Sequence, residues 1–290
     1  MLFKGCSTAL VTPFGKNGKV NYSVFKRIID YQINNGVSAL VFLGTTGESA
    51  TLTNEEREEV VRFAVKYVNK RVPVIVGAGS NCTQEAINRS VLFESLGVDA
   101  LLHVTPYYNK STQKGLFEHF KQIADAVSVP VILYNVPGRT GVNLNAETVF
   151  KLSKIKNIVG VKEASGNIDQ ISEILRICEK DFAVYSGDDA LTLPILCLGG
   201  SGVISVASNA LPKEMVEICS NYFLGNIEFA RDLQFKMNSF IKLMFAEVNP
   251  IPIKYTMKKF GFNCGKPRLP LLELQNKTKL AIGKELKNFN

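Results

Sequence analysis

Histidine is almost missing from this chain: His103 and His119 are the only two in 290 residues. That argues against a His-rich metal centre. The six cysteines, Cys6, Cys82, Cys178, Cys197, Cys219 and Cys264, are scattered, with no CxxC pair and no histidine at ligand spacing. They argue against a zinc site and a disulfide framework, and for a reducing cytoplasm. No apolar run is long enough to cross a bilayer. The first residues, Met1 to Cys6, lack the apolar core of a signal peptide, so a cytoplasmic protein is expected. No GxGxxG follows the first apolar run, which removes the main signal for a dinucleotide. Neither a metal nor an organic cofactor is expected.

What is present is ordinary in amount and ordered in pattern. Hydrophobic residues make up 46% and charged residues 21%, enough apolar material for one large domain, alone or with an extension. The net charge is +8, and from Lys254 onward nine Lys or Arg stand against two Glu. These cations are spread singly among apolar residues and read as the solvated face of amphipathic helices rather than a nucleic-acid surface, although a positive field would help attract anions.

Short apolar runs alternate with helical stretches. Strands are expected at Thr8–Thr12, Ala39–Leu43, Val72–Gly77, Ala100–Val104, Val131–Asn135, Ile158–Lys162, Phe182–Ser186 and Gly202–Val206. The intervening helices include Tyr22–Asn34, Asn54–Asn69, Thr83–Leu96, Lys114–Val127, Ala146–Leu152, Asp169–Cys178, Ala190–Leu198 and Pro212–Tyr222. Eight such alternations predict an α/β fold, a (β/α)8 TIM barrel over residues 1–225. Residues 226–290 lack strands and predict an all-helical appendage, with helices at Asn226–Phe245, Ile253–Phe260 and Leu271–Leu286.

In such a barrel chemistry sits at the C-terminal ends of the strands. Lys162 stands where the run Ile158–Val161 ends. A cation is awkward to desolvate there, and burial favours the neutral, nucleophilic amine that forms Schiff bases. The bland alternatives are a lysine that snorkels to solvent or pairs with Glu163. Three further stretches fall at strand ends. Gly44-Thr45-Thr46-Gly47-Glu48 offers hydroxyls and free amides to a carboxylate, or is a capped turn. Thr105-Pro106-Tyr107-Tyr108-Asn109 places two tyrosines in a polar loop. Tyr134-Asn135-Val136-Pro137-Gly138-Arg139-Thr140-Gly141 ends a strand with a phenol and puts Arg139 on a Pro-Gly turn, a fork suited to a carboxylate. Ser186-Gly187-Asp188-Asp189 reads as a turn and helix cap. Gly199-Gly200-Ser201-Gly202 precedes a strand, the wrong context for phosphate.

Together, Gly-Thr-Thr-Gly-Glu at 44–48, Tyr-Asn-Val-Pro-Gly-Arg-Thr-Gly at 134–141 and Gly-Val-Lys-Glu-Ala-Ser-Gly at 160–166 resemble the pyruvate-dependent class I aldolases, over nearly the whole chain. The closest resemblance is to the branch that feeds lysine and diaminopimelate biosynthesis. It implies that Lys162 forms an imine with pyruvate and that the derived enamine attacks aspartate 4-semialdehyde. It implies a proton relay of Thr45, Tyr108 and Tyr134, with Tyr108 reaching into a neighbouring subunit of a homotetramer built as a dimer of dimers. It implies that Thr45 and Thr46 hold the pyruvate carboxylate, that Arg139 takes the semialdehyde's, and that Gly187 and Ile204 line the pocket through backbone groups.

The rival within the family is an N-acetylneuraminate lyase or keto-deoxy sugar acid aldolase, for which Arg139 is the discriminator. A catalytically silent barrel is the rival of another class. In lysine-inhibited members the end product sits at the tight dimer contact, where Ser49, Ala50, Asn81, Glu85 and Tyr107 match. Asn54 and Arg57 stand where inhibited enzymes carry histidines. Arg57 would repel an ammonium and could occupy Glu85, which predicts weak or absent inhibition; the alternative is an Arg57 turned to solvent or to Glu56.

Overall fold

The computed structural model describes residues 2–289. Eight parallel strands close into a barrel in chain order: β1 (Gly5–Ala9), β2 (Ala39–Phe42), β3 (Val74–Gly77), β4 (Ala100–Val104), β5 (Val131–Asn135), β6 (Ile158–Glu163), β7 (Ala183–Ser186) and β8 (Gly202–Ser205). Around them run α1 (Tyr22–Asn34), α2 (Asn54–Val68), α3 (Thr83–Ser95), α4 (Gln113–Asp125), a one-turn α5 (Pro137–Thr140), α6 (Ala146–Ser153), α7 (Ile168–Ile177), α8 (Thr192–Cys197) and α9 (Pro212–Phe223). Three helices follow with no further strand: α10 (Ile227–Met244), α11 (Ile251–Lys259) and α12 (Asn276–Glu285). The (β/α)8 barrel with C-terminal helices is the expected fold.

Local chemistry accounts for the boundaries that match. Asn21 accepts the Val24 N–H at 3.2 Å and starts α1, whose Phe25, Ile28, Ile29 and Gln32 form the buried face. Thr53 and Glu56 close a reciprocal capping box at the start of α2. Burial on both faces of the strands explains their unbroken apolar runs.

Four expectations need correction. The first strand is Gly5–Ala9, not Thr8–Thr12. Its register is set by close approach to β8: a Cβ on Gly202 would lie 1.9 Å from the Gly5 carbonyl oxygen, so only glycine closes the barrel here. Leu10 N–H still reaches the Val41 carbonyl of β2, but Val11 and Thr12 turn to other partners, Val11 N–H donating to Asn209 Oδ1 and Thr12 Oγ1 to the Gly47 carbonyl. The last helix starts at Asn276, not Leu271, because residues 266–275 are fastened to the barrel and to one another. Arg268 reaches Glu56, Lys266 pairs with Glu273, and Gln275 N–H donates to Glu247. The stretch Ala190–Leu198 splits into a 3-10 turn, Asp189–Leu191, followed by α8. Finally, not every C-terminal cation is solvated: Lys254 is 3% exposed and held by Glu48.

The two histidines are core residues. His103 on β4 meets Ser90 Oγ through Nε2 at 3.2 Å, and His119 on α4 meets Thr83 Oγ1 through Nδ1 at 2.9 Å. Their other nitrogens lack partners. Burial, aided by His119 nearby, pushes His103 down to about 3, and burial pushes His119 down to about 4. Both are neutral in the fold, while the unfolded chain takes up protons near the ordinary 6.5. Their stabilising contribution is therefore full above that value and is lost as pH falls through 6.5 towards 4. Between pH 7 and 5 each should cost the fold about 2 kcal/mol. His119→Gln should remove one share, so urea-unfolding curves of variant and parent should converge on acidification; a constant gap would refute the assignment.

Candidate active site

The strand ends converge on a cavity of about 620 Å³ at the C-terminal mouth of the barrel. Lys162 and Tyr134 sit side by side in the register of β5 with β6. Lys162 is 6% exposed, and its Nζ lies 4.3 Å from the centre of the Tyr134 ring. Among the described residues no carboxylate pairs with it. Glu163, next along the strand, points to the opposite face. There it accepts Asn135 Nδ2, Ser165 N–H and Gln170 Nε2 at 2.7–3.2 Å. Neither bland reading of Lys162 fits this arrangement. Gly187 opens the opposite wall, since a Cβ there would meet Ala164 at 2.7 Å and Lys162 Cε at 3.1 Å.

The loop after β2 brings Thr45 and Thr46 to the same cavity. It turns sharply: Leu43 and Glu48 both adopt left-handed backbone, with φ of 54° and 53°. Such strain persists only where surroundings enforce it. Thr12 grips Gly47, Asn249 Nδ2 donates to Thr46 Oγ1 at 2.9 Å, and Glu48 is clamped between Lys254 Nζ at 2.6 Å and the Arg268 N–H at 2.8 Å. Both Lys254 Nζ and the Arg268 guanidinium also lie over the Phe14 ring, at 4.2 and 4.4 Å. Arg139, on α5 rather than a simple turn, is exposed at the rim and pairs with no carboxylate among the described residues.

Some expected residues are not gathered here. Ile204 is buried within the barrel, and Val206, just after β8, lines the cavity instead. Tyr108 is 91% exposed and outside the cavity, with φ of 71°. Among the described residues no hydrogen bond joins Thr45 to Tyr134. Asp188 caps Ala190 as expected, but Asp189 does more than cap. It is buried, accepts the Val206 and Ala207 N–H groups at 3.0 Å each, and burial pushes its carboxyl above the ordinary range. The sequence reading missed Asn238 and Lys242 of α10, Phe245 just beyond its end, and Asn249, which all line the cavity. It also missed Glu48–Lys254, although a lysine directly after the apolar Ile251-Pro252-Ile253 was a usable signal.

The expected regulatory residues lie together beside α2 and α3. Arg57 does not occupy Glu85. It donates from Nε and Nη2 to the Ser49 carbonyl at 3.1 and 2.8 Å and from Nη1 to Asn54 Oδ1 at 2.6 Å. Glu85 is taken by Arg89 at 2.7 Å. Asn81 Nδ2 donates to the Tyr107 carbonyl. Burial, and then the Arg89 cation, lower the Arg57 value from its ordinary range.

A closed parallel barrel whose cavity is lined by a buried lysine with no carboxylate partner among the described residues, a tyrosine, two adjacent threonines and an arginine has the architecture of a class I aldolase. The sequence model of the Dihydrodipicolinate synthetase family matches residues 2–289. The chain belongs to that family. It is 50% identical to the 4-hydroxy-tetrahydrodipicolinate synthase of Alkaliphilus oremlandii over 289 residues, covering 100% of this chain and 99% of the relative. The DHDPS of Cyanidioschyzon merolae, solved with lysine bound, superposes with a TM-score of 0.97 at 43% identity, covering 99% of this chain and 98% of the other. The chloride-inhibited dihydrodipicolinate synthase of Acinetobacter baumannii, complexed with pyruvate, gives 0.96 at 40% identity and 98% coverage of both.

Glu48 and Lys254 are 1% and 2% exposed at their side chains. Glu48→Ala leaves a buried ammonium unpaired and should cost about 3–5 kcal/mol in urea unfolding. Glu48→Gln/Lys254→Met should recover much of that loss, because a buried pair has little net value over a shape-matched neutral pair. A single variant as stable as the parent would show that the pair is not buried in solution.

Proposed function

We propose that this chain condenses pyruvate with aspartate 4-semialdehyde, the reaction of 4-hydroxy-tetrahydrodipicolinate synthase on the route to lysine and diaminopimelate. The observation that carries this reading is Lys162, buried in the lining of the cavity and paired with no carboxylate among the described residues. The names of the relatives favour it over a sugar-acid aldolase.

Lys162 Nζ adds to C2 of pyruvate, and loss of water leaves the imine. Removal of a proton from C3 gives the enamine, whose C3 attacks the aldehyde carbon of the semialdehyde. The substrate's own amine then displaces Lys162 from C2, closing the ring and freeing the enzyme. Thr45 and Thr46 hold the pyruvate carboxylate. Arg139 clamps that of the semialdehyde, its planar fork matching two oxygens. Gly187 leaves room for the adduct and contributes its backbone groups. Tyr134, beside the imine, exchanges protons with Thr45 and with Tyr108 of a neighbouring copy.

That last role requires an assembly, and a homotetramer made of two tight dimers is the arrangement proposed. Tyr107 and Tyr108, 40% and 91% exposed, are the surface it would cover, since aromatic side chains are enriched in such contacts. No helix among the described residues is long and apolar enough to cross a membrane, and a cytoplasmic location accords with that.

Lys162→Ala should abolish borohydride trapping of pyruvate and lower turnover by several orders of magnitude. Arg139→Ala should leave trapping intact while costing about 2–5 kcal/mol in use of the semialdehyde. Trapping at another lysine, or equal loss for both substrates in the arginine variant, would contradict these roles.

Inhibition by lysine is proposed to be weak or absent. Glu85, the group expected to hold the ligand's ammonium, is already neutralised by Arg89, and Arg57 adds a second cation nearby. A loss of only ~1.4 kcal/mol weakens binding tenfold. Lysine titration of the parent and of Asn54→His/Arg57→His should show inhibition strengthened in the variant. Strong inhibition of the parent would dispose of the idea.

A further inference from the structure

We infer that Asn249 is a positioning residue for the reaction: by donating to Thr46 Oγ1 it reserves the threonine proton for the carboxylate of pyruvate. The inference rests on the reading of Thr46 as a carboxylate ligand.

A threonine hydroxyl has one proton and two lone pairs. Left to rotate, it presents either to a ligand, and a lone pair facing a carboxylate repels it. Thr46 is 2% exposed and Asn249 is 5% exposed, and both line the cavity. The Asn249 amide occupies a lone pair at 2.9 Å. Among the described residues the Thr46 hydroxyl donates to no protein acceptor, so its proton remains for whatever lies in the cavity. Asn249 holds this pose although its own Oδ1 is buried without a partner, a state that folded proteins tolerate rarely.

The pose is imposed from outside the barrel. Asn249 lies just before α11, and Lys254 on that helix is fastened to Glu48 at 2.6 Å, two residues beyond Thr46. Arg268 N–H takes the other Glu48 oxygen at 2.8 Å. The C-terminal segment thus grips the loop at residues 46 and 48 together. A hydroxyl preorganised in this way does not have to reorient when the anion arrives.

The decisive substitution is Asn249→Asp. A carboxylate accepts but cannot donate, so the Thr46 proton turns towards residue 249 and a lone pair faces pyruvate. The pyruvate concentration for half-maximal borohydride trapping, and KM for pyruvate, should rise about tenfold to a hundredfold, the range of a charge-assisted hydrogen bond. KM for aspartate semialdehyde should change less than about twofold, since Arg139 holds that carboxylate. Asn249→Ala, which buries no charge, is the second variant; its pyruvate KM should rise about fivefold or more with a near-parental kcat. Thr46→Val is the reference, and combining it with Asn249→Asp should add little further loss.

If Thr46→Val raises the pyruvate KM and neither Asn249 variant does, the inference is overturned while the function stands. If Thr46→Val leaves it unchanged, Thr46 is no carboxylate ligand and both fail. A purely structural Asn249 would lower the melting temperature and all kinetic parameters together, which would also overturn it. Should Asn249→Asp not fold, the Asn249→Ala measurements decide.

Discussion

One buried ion pair connects the two parts of this molecule. Lys254, from the helices that follow the barrel, ends on Glu48, at the end of the loop that carries Thr45 and Thr46. Neither charge would be stable at that depth alone, and their joint burial requires the loop and α11 to meet in one geometry. Glu48 is held in left-handed backbone as part of that contact. The specificity comes from the requirement that both charges be matched at once, more than from any gain in stability.

The opposite choice governs Lys162. It is nearly as buried as Lys254 yet has no counter-ion among the described residues, only the face of Tyr134. Glu163, one residue away, could have neutralised it, but strand alternation carries its carboxylate to the far face. There Asn135, Ser165 and Gln170 satisfy it. The barrel thus supplies a desolvated amine by geometry: two adjacent ionisable residues are separated by the sheet itself. The C-terminal helices complete the enclosure, since Asn238 and Lys242 of α10 and Phe245 at its end line the cavity.

Much of this was legible from the chain. Helix α1 spans the residues that its apolar spacing predicts, and Lys162, Thr45, Thr46, Arg139 and Gly187 meet at one cavity as their places at strand ends imply. Features that depend on distant partners were not legible. The Gly5–Ala9 strand is dictated by contact with Gly202, which nothing near residue 5 announces. Asp189 read as a cap because its local context is that of a cap, whereas its partners are the Val206 and Ala207 amides. The sequence offers Arg57 as a partner for Glu85, but Arg89, one helical turn beyond Glu85, is the better placed cation. Tyr108 shows a different limit, since its proposed role lies in a second copy of the chain.

The clamp on the loop after β2 has a consequence for how the protein is made. Glu48 waits for partners 206 and 220 positions later in the chain. Closing loops of that length is entropically slow and comes after local structure has formed. A ribosome that has finished β8 has already produced every strand, but not Asn249, Lys254 or Arg268. The loop that carries Thr45 and Thr46, although made early, is therefore among the last walls of the cavity to be set, once Asn249, Lys254 and Arg268 have been delivered.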